Sequence, residues 1–499
     1  MAKQGMVTQS VGIRSLAVSF PRTIRTNDYW RQKFPELGAV QRQVRLPLSA
    51  STNQNGIDIW LQQVSPYLSD PFRGSVERRV LGEDESAIAL ECCAAQDALN
   101  AAKLGVEEVD LAIAAAIFPD TVGPSHGVEL ARRLGLRCPA WNLESTCSSA
   151  LIALQNAQAL VQTGIYRHIL VVVSQVGSLS VNEADTLSQS MGDGAGAFVV
   201  SAMASEQGIL STAIMSTAAT YRAYIHELGI DFQGKPYLQT RTGENASSLA
   251  ETAVDFVRNC CQKAVKAAGI DLDQIDFFSF NTPTAWYAQV CAQALGIAPE
   301  KTIDLYPWYA NIGAVFPVAN LYHAALTKKI CANDLVLVYS NGAAATAAAI
   351  VMRWGDVGLG KVPDPPLNLP VAETIYLPTP MRESVEIDFK ERLLAAPSEV
   401  RQETIAAYLL NWLAEARQLS PSQLNSQLLL TSCLDSLMVA ILRIQIEKDF
   451  QIGVPMEKFF NSTVEQLTNF LLERLALASL MAATIVTDGN LEEREILSL

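Results

Sequence analysis

Through the first 355 residues, short uninterrupted apolar runs alternate with longer alanine-rich stretches of helical period. The runs 111–118, 168–176, 196–200, 275–280 and 335–339 read as strands, and the stretches 87–102, 148–162, 247–268 and 285–295 as helices. A strand apolar at every position must be covered on both faces, so the body is predicted to be α/β with buried sheets. From residue 398 the pattern changes. Segments 405–416, 436–450 and 464–475 carry apolar residues at helical spacing, which predicts a small all-α bundle of three or four short helices. Between the two lies VPDPPLNLPVAETIYLPTP at 362–380, whose six prolines fix φ and remove donors, as in an extended linker. The expected boundaries are a body at 1–360, a linker at 361–397, a bundle at 398–480 and an acidic tail at 481–499.

The body also repeats itself. Ala98, Ala101, Ala102, Leu104, Val106, Val109 and Asp110 match Ala264, Ala267, Ala268, Ile270, Leu272, Ile275 and Asp276 at a constant offset of 166. Each copy continues through a strand and a helix to Leu-Gly-aliphatic, at Leu134-Gly135-Leu136 and Leu295-Gly296-Ile297. A strand at 138–143 before Cys147 is matched to 301–305 before Asn311. Two halves, about 10–205 and 206–355, are therefore expected to meet about a pseudo-twofold. That symmetry brings the loops holding Cys147 and Asn311 together.

Composition narrows the chemistry. The chain has 499 residues, 49% hydrophobic and 18% charged, with a net charge of −14. That sign argues against binding phosphate backbones or anionic lipid. The nine cysteines include no CxxC, so reduced thiols are expected rather than disulfides or zinc. The beginning MAKQGMVTQS lacks an apolar signal core, and tracts such as 475–486 are too short for a bilayer core of ~30 Å, so a cytoplasmic location is expected. Only four histidines, His126, His168, His226 and His323, are present for proton transfer. All four read as structural or surface residues.

Cys147 lies in WNLESTCSSALIALQNAQALVQTG, between a strand end and a helix start. A thiol there feels the positive end of the helix dipole, which predicts a lowered pKa. Free backbone N–H groups can bind an oxyanion, and Ser145, Ser148, Ser149 and Ala150 are small enough to admit a substrate. With CPAWNLESTCSSALIAL, MGDGAGAFVV at 191–200 and WYANIGAVF around Asn311, the body resembles ketoacyl-ACP synthase III of the thiolase superfamily. The resemblance covers most of 10–355. It implies a five-layer αβαβα thiolase-like fold, a homodimer, and Cys147 as the acyl-accepting nucleophile. It also implies a Cys–His–Asn triad, in which His and Asn stabilise the enolate formed by decarboxylation of a malonyl extender. The Asn maps to Asn311.

The His does not map to a histidine. The strand 275–280 runs into IDFFSFNTPTAWYAQV, which puts Asn281 at that position. Asn281 can donate a hydrogen bond to an oxyanion but cannot exchange a proton near pH 7. Decarboxylative condensation is therefore expected to be impaired, and thioester exchange to survive. Gly123 falls where the family places a residue gating the acyl pocket; it is equally a turn glycine in DTVGPS. The turn 341–344 matches a small-residue loop near the family's active site.

In the last segment, LTSCLDSLMVAILRIQIEKDF opens a helix at Asp435-Ser436-Leu437 and continues to GVPMEKFF and STVEQLTNFLLERL. This resembles an acyl carrier protein, although Cys433 replaces the usual glycine. The resemblance makes Ser436 the attachment site of 4'-phosphopantetheine. Residues 398–499 hold 13 acidic and 7 basic side chains, a balance of 7 − 13 = −6. Arg78 and Arg79 are basic candidates on the body for docking this acidic module. The expected partners are acyl-CoA or acyl-carrier substrates and a phosphopantetheinyl transferase. The tail TDGNLEEREILSL is a candidate docking peptide for a downstream synthase, or a frayed helix. Together these features predict an acyltransferase of polyketide or fatty-acid type, without metal, passing an acyl group between Cys147 and the carrier. The alternatives are ordinary decarboxylative condensation and a degenerate synthase scaffold.

Overall fold

The computed structural model describes residues 9–35, 56–119, 126–230, 234, 236–367, 393–394, 396–417, 419–430, 434, 436–455, 457–460 and 462–487. Gly123 and the tail from 488 onwards lie outside the described residues. The chain divides into two compact units, with described residues up to 367 in the first and those from 393 in the second.

The first unit holds β1 (Val11–Ser19), α1 (Ala87–Ala102), β2 (Leu111–Ile117), α2 (His126–Leu134), β3 (Ala140–Asn142), α3 (Ser149–Gln162), β4 (His168–Val176) and β5 (Asp193–Ala202). It continues through β6 (Gly208–Ser216), β7 (Tyr224–Ile230), β8 (Pro236–Thr242), α4 (Ser248–Ala268), β9 (Phe277–Phe280), α5 (Tyr287–Leu295), α6 (Phe316–Leu326), β10 (Leu335–Asn341), β11 (Thr346–Arg353) and β12 (Gly358–Leu359). One sheet has the order β12-β1-β5-β4-β2-β3 and the other β9-β10-β11-β6. In both, a parallel pair (β2 with β4, β9 with β10) is followed by two antiparallel neighbours. The halves thus repeat strand order and direction.

The offset found in the sequence recurs in three dimensions. A 3-10 turn at Val106–Glu108 and β2 from Leu111 correspond to a turn at Leu272–Gln274 and β9 from Phe277, each 166 residues on. One part of the sequence pattern did not materialise. β3 edges the first sheet, but 302–305 form no strand in the second. A short helix, Tyr306–Tyr309, follows directly instead, with Pro307 in its first turn, where proline is preferred.

The layers follow from where the apolar faces go. α1 packs outside the first sheet and α4 outside the second, while α3 and α6 lie between the sheets. This is the five-layer αβαβα arrangement. Strands such as β4, with Ile169, Leu170, Val171, Val172 and Val173 all at 0 or 1% exposure, are covered on both faces, which is why they read as unbroken apolar runs. Alanines on α1 allow close approach to the sheet, and Ser15 on β1 donates to the Ala98 carbonyl at 2.7 Å. The glycine-rich stretch has a steric cause as well. A Cβ on Gly192 would lie 1.9 Å from the Tyr309 carbonyl oxygen, so no larger residue fits.

Arg78 and Arg79 correct the docking expectation. They are 0% and 4% exposed. Arg78 stacks 4.4 Å from the Trp30 ring and donates to the Gln189 carbonyl and to Asn27 Oδ1, at 2.9 and 2.7 Å for the bonds from Nε and Nη1. Arg79 reaches the carbonyls of Pro21, Asp364 and Pro365. Both arginines are internal ties.

The second unit is helical: α7 (Ser398–Arg417), α8 (Ser436–Phe450), α9 (Glu457–Phe460) and α10 (Val464–Thr487). Its core gathers Leu409, Leu413, Leu442, Ile446, Phe450, Leu467 and Leu471, all at 0% exposure. Among the described residues of the chain, no helix is long and apolar enough to cross a membrane.

Gly192→Ala forces a backbone displacement in the first unit. It should destabilise that unit by about 1–3 kcal/mol, the usual range for overpacking, read as a lower urea midpoint than wild type.

Candidate active site

The chain rises from β3 into a 3-10 turn, Thr146–Ser148, and then α3, with Cys147 in the middle of the turn. Thr146 has φ +48°, a conformation that L side chains rarely adopt. The surrounding hydroxyls hold the turn. Ser149 Oγ accepts from the Ser145 N–H at 2.8 Å and donates to the Thr146 carbonyl at 2.7 Å. Ser145 and Ser148 both share the Thr346 hydroxyl, at 2.7 and 2.8 Å. Ser340 donates to the Cys147 carbonyl at 2.7 Å. The small neighbours therefore fix the turn onto β10 and β11 of the second half.

That docking also places Asn281. β9 and β10 pair with Phe280 opposite Tyr339, and the Asn281 N–H donates to the Tyr339 carbonyl at 2.9 Å. Asn281 thus runs beside Ser340, which holds Cys147. Asn281 is fully buried, and among the described residues neither atom of its amide has a hydrogen-bond partner. An orphaned buried amide is costly, about 1–3 kcal/mol, and calls for an external partner.

Asn311 is held by its backbone. Its N–H donates to the Ser190 carbonyl, and its carbonyl accepts from Gly192 N and Gln175 Nε2, at 2.9, 3.1 and 3.2 Å. Its Oδ1 accepts from the Gly313 N–H at 2.9 Å, which leaves Nδ2 as the donor end of the amide. The turn at Gly313–Val315 packs against the Cys147 turn. Ala310 just before has φ 52° and ψ −153°, a second strained residue at the site. Gly313 has φ +46°, and a Cβ there would strike the Gln175 amide. The structure thus packs the Asn311 loop against the Cys147 turn and sets Asn281 beside the strand whose Ser340 bonds the Cys147 carbonyl. Ser436 is the first residue of α8 in the second unit.

The thiol departs from expectation. Part of Cys147 remains exposed, but burial of its sulfur, with a smaller push from the Glu144 carboxylate, raises its pKa to about 11. A hydrogen bond from the backbone opposes this without prevailing. Loss of water outweighs half a charge at a helix end, and among the described residues no cation figures in the charges acting on the sulfur.

The histidines are occupied elsewhere. His126 pairs with buried Glu91 at 2.6 Å, and His168 with Ser201 at 2.8 Å. Burial drives His323 down to about 4, so it stays neutral beside the Tyr309 and Tyr322 rings. His226 bonds Thr240 at 2.9 Å, lies edge-on to Phe118 and senses the charge of Glu144. It belongs to the β7–β8 hairpin, which the sequence reading missed. Tyr224, His226, Leu228 and Ile230 alternate there, the signature of a strand with one distinct face.

The chain matches three family models. They are 3-oxoacyl-ACP synthase III at 141–218, its C-terminal part at 265–354, and phosphopantetheine attachment site at 408–471. A beta-ketoacyl-ACP synthase III of Bartonella henselae is 30% identical over 292 residues, 56% of this chain and 88% of that protein. The chain belongs to the ketoacyl-ACP synthase III family. A Chelativorans relative of the same description is 28% identical over 326 residues, 63% of this chain and 97% of its own. Among solved structures, the synthase III of Thermus thermophilus superposes with a TM-score of 0.57 at 24% identity, covering 69% of this chain and 99% of that one. OleA of Xanthomonas campestris gives 0.55 at 17%, covering 70% and 100%. The ketoacyl-ACP synthase III body thus has the thiolase fold and is joined to a carrier domain that bears 4'-phosphopantetheine covalently. The enzyme is an acyl-transferring member of the condensing class.

With the thiol near 11, only a small fraction of this synthase is thiolate at pH 7. Alkylation of Cys147 by iodoacetamide, followed by peptide mass, should climb about tenfold per pH unit from 7 to 9. A plateau below pH 8 would show instead that the dipole prevails.

Proposed function

We propose that Cys147 accepts an acyl group as a thioester and exchanges it with the phosphopantetheinyl arm on Ser436, without decarboxylation. The observation that supports this reading is Asn281. At the position where the family is expected to use histidine stands a buried amide that can only donate or accept hydrogen bonds. With Asn311 Nδ2 it supplies two donors for an oxyanion and no base. Thioester exchange needs the oxyanion donors. Its proton balance closes internally, because the thiol proton leaves with the departing sulfur. Releasing CO₂ from a malonyl group places a full enolate charge on the same donors.

The carrier fits its part. Ser436 opens a 15-residue helix, and a helix start offers backbone N–H groups to a phosphate. The arm supplies a thiol that carries the acyl chain to Cys147. Donors would be acyl-CoAs or acyl carriers, and a phosphopantetheinyl transferase would load Ser436. A homodimer is part of the proposal, since β3 ends its sheet as a free edge with Trp141 38% exposed.

Decarboxylative condensation is the second reading, favoured by the description of the relatives as beta-ketoacyl synthases.

Intact and peptide mass of the pantetheinylated protein with a panel of acyl-CoAs separates the readings. Label on both Cys147 and Ser436, with no CO₂ from malonyl-carrier, is expected. A chain longer than the acyl donor, together with CO₂ release, would establish condensation, and no label on Cys147 with any donor would leave a scaffold. Asn281→His should raise decarboxylation by about 10²-fold, the lower end of general acid–base assistance.

A further inference from the structure

The turn that carries Asn311 is strained at both ends. Ala310 has φ 52° and ψ −153°, and Gly313 has φ +46°. Such conformations persist only where the surroundings over-determine them. Three ties are made by backbone: Ala310 N–H to the Tyr306 carbonyl, Asn311 N–H to the Ser190 carbonyl, and Gly192 N–H to the Asn311 carbonyl, at 2.8, 2.9 and 3.1 Å. The fourth is a side chain. Gln175, near the end of β4 and 5% exposed, donates from Nε2 to the same Asn311 carbonyl at 3.2 Å.

The Gln175 amide also backs the far end of the turn. A Cβ on Gly313 would lie 1.5 Å from Gln175 Oε1 and 2.5 Å from its Cδ, so the amide fills the space a side chain at 313 would take. The Gly313 N–H in turn donates to Asn311 Oδ1 at 2.9 Å, the bond that fixes which end of the Asn311 amide is the donor. Gln175 thus touches both the Asn311 carbonyl and the residue that orients the Asn311 side chain. It is itself firmly placed, because β4 is an interior strand and Gln175 pairs with Ile117 on β2 and Gly194 on β5. A long amide in the run HILVVVSQV is costly to bury unless it is bonded, and this bond goes to the candidate site.

We propose that Gln175 is a positioning residue for Asn311: its amide clamps the 311–313 turn and thereby sets where the Asn311 Nδ2 donor stands. The proposal rests on the reading of Asn311 as an oxyanion donor for acyl transfer at Cys147. A displacement of about 1 Å at such a donor costs much of what it contributes.

Gln175→Glu keeps the shape of the side chain. Ionised, it sets an acceptor against the Asn311 carbonyl; protonated, it donates again. Burial beside a carbonyl oxygen raises such a carboxyl above its ordinary range, so the donor returns as pH falls. β2, α3 and the Gly313–Val315 turn, all packed on β4, carry no ionisable side chain. On β5, Asp193 already accepts from Ser178 and Leu81. On α1, outside the sheet, Glu91 is held by His126 and by Ser174 on the other face of β4, and Cys92, Cys93 and Asp97 share that helix.

Single-turnover acylation of Cys147, by the acyl-CoA that labels wild type fastest, is read as a ratio to wild type from pH 6 to 8, so that ionisation of the thiol cancels. Gln175→Glu should be about tenfold slow at pH 8, part of the loss that follows removal of an oxyanion donor, and its ratio should recover about fivefold by pH 6. Gln175→Met, similar in length and without a donor, should be about tenfold slow at every pH, with little change in half-saturating concentration. Wild-type rates in both variants would overturn the proposal. So would a slowed Gln175→Glu whose ratio stays flat with pH, since the glutamine would then only fill space. Hydrogen exchange over residues 309–316 needs no substrate and should quicken at least about threefold in Gln175→Met as the turn loosens; unchanged exchange would also overturn it. If no acyl-CoA labels wild-type Cys147, the transfer reading falls, and the exchange measurement still decides whether Gln175 holds the turn.

Discussion

The turn carrying Cys147 has little hold of its own, and the other half of the body keeps it in place. Thr146 sits at φ +48°, which a free chain would abandon. What over-determines it is a lattice of hydroxyls crossing between sequence-distant segments: Ser145 and Ser148 on Thr346, Ser340 on the Cys147 carbonyl, Thr146 on Ala343. Once that lattice is set, the rest follows. Asn281 lies beside Ser340 by strand pairing, Asn311 by the packing of the Gly313 turn, and the hairpin by the loop at 342–345. The duplication is thus a condition for the site, because neither half alone contains both the sulfur and the groups that hold it.

The same docking that positions the sulfur also dries it. Water exclusion strengthens each hydrogen bond aimed at a developing charge, and it opposes the ionisation that makes a thiol nucleophilic. A neighbouring imidazolium would offset the second effect by pairing with the thiolate. With asparagine at 281 that compensation is gone. On the proposed reading, the surviving donors favour the charge on oxygen in the transition state over the charge on sulfur in the ground state, which is the direction catalysis requires.

What could be read in the sequence follows a physical division. The offset of 166 residues was visible because a duplicated helix, turn and strand bury the same alanines and aliphatics in each copy, and burial leaves a periodic trace. Asn281 was visible because a resemblance fixed its position. Arg78 was misread because charge in a sequence suggests water, and its partners Trp30, Asn27 and Gln189 lie 48, 51 and 111 residues away. The Cys147 pKa was misread for a related reason: the helix start is local and legible, whereas the desolvation comes from segments brought together only by folding.

A weakly ionised nucleophile places the tethered carrier in a different light. If the donor were free in solution, the small thiolate fraction would scale the rate at every encounter. On the proposed reading, a carrier joined through the Pro-rich segment presents its thioester at an effective concentration of roughly mM, whatever its abundance. The slow intrinsic step is then approached by a donor that is always near, and the buried thiol is protected in the intervals from other electrophiles, which seldom find it as thiolate. On the proposed reading, fusion to the carrier and the muted thiol are two parts of one arrangement: reactivity is withheld from solution and granted to the arm that fits the site.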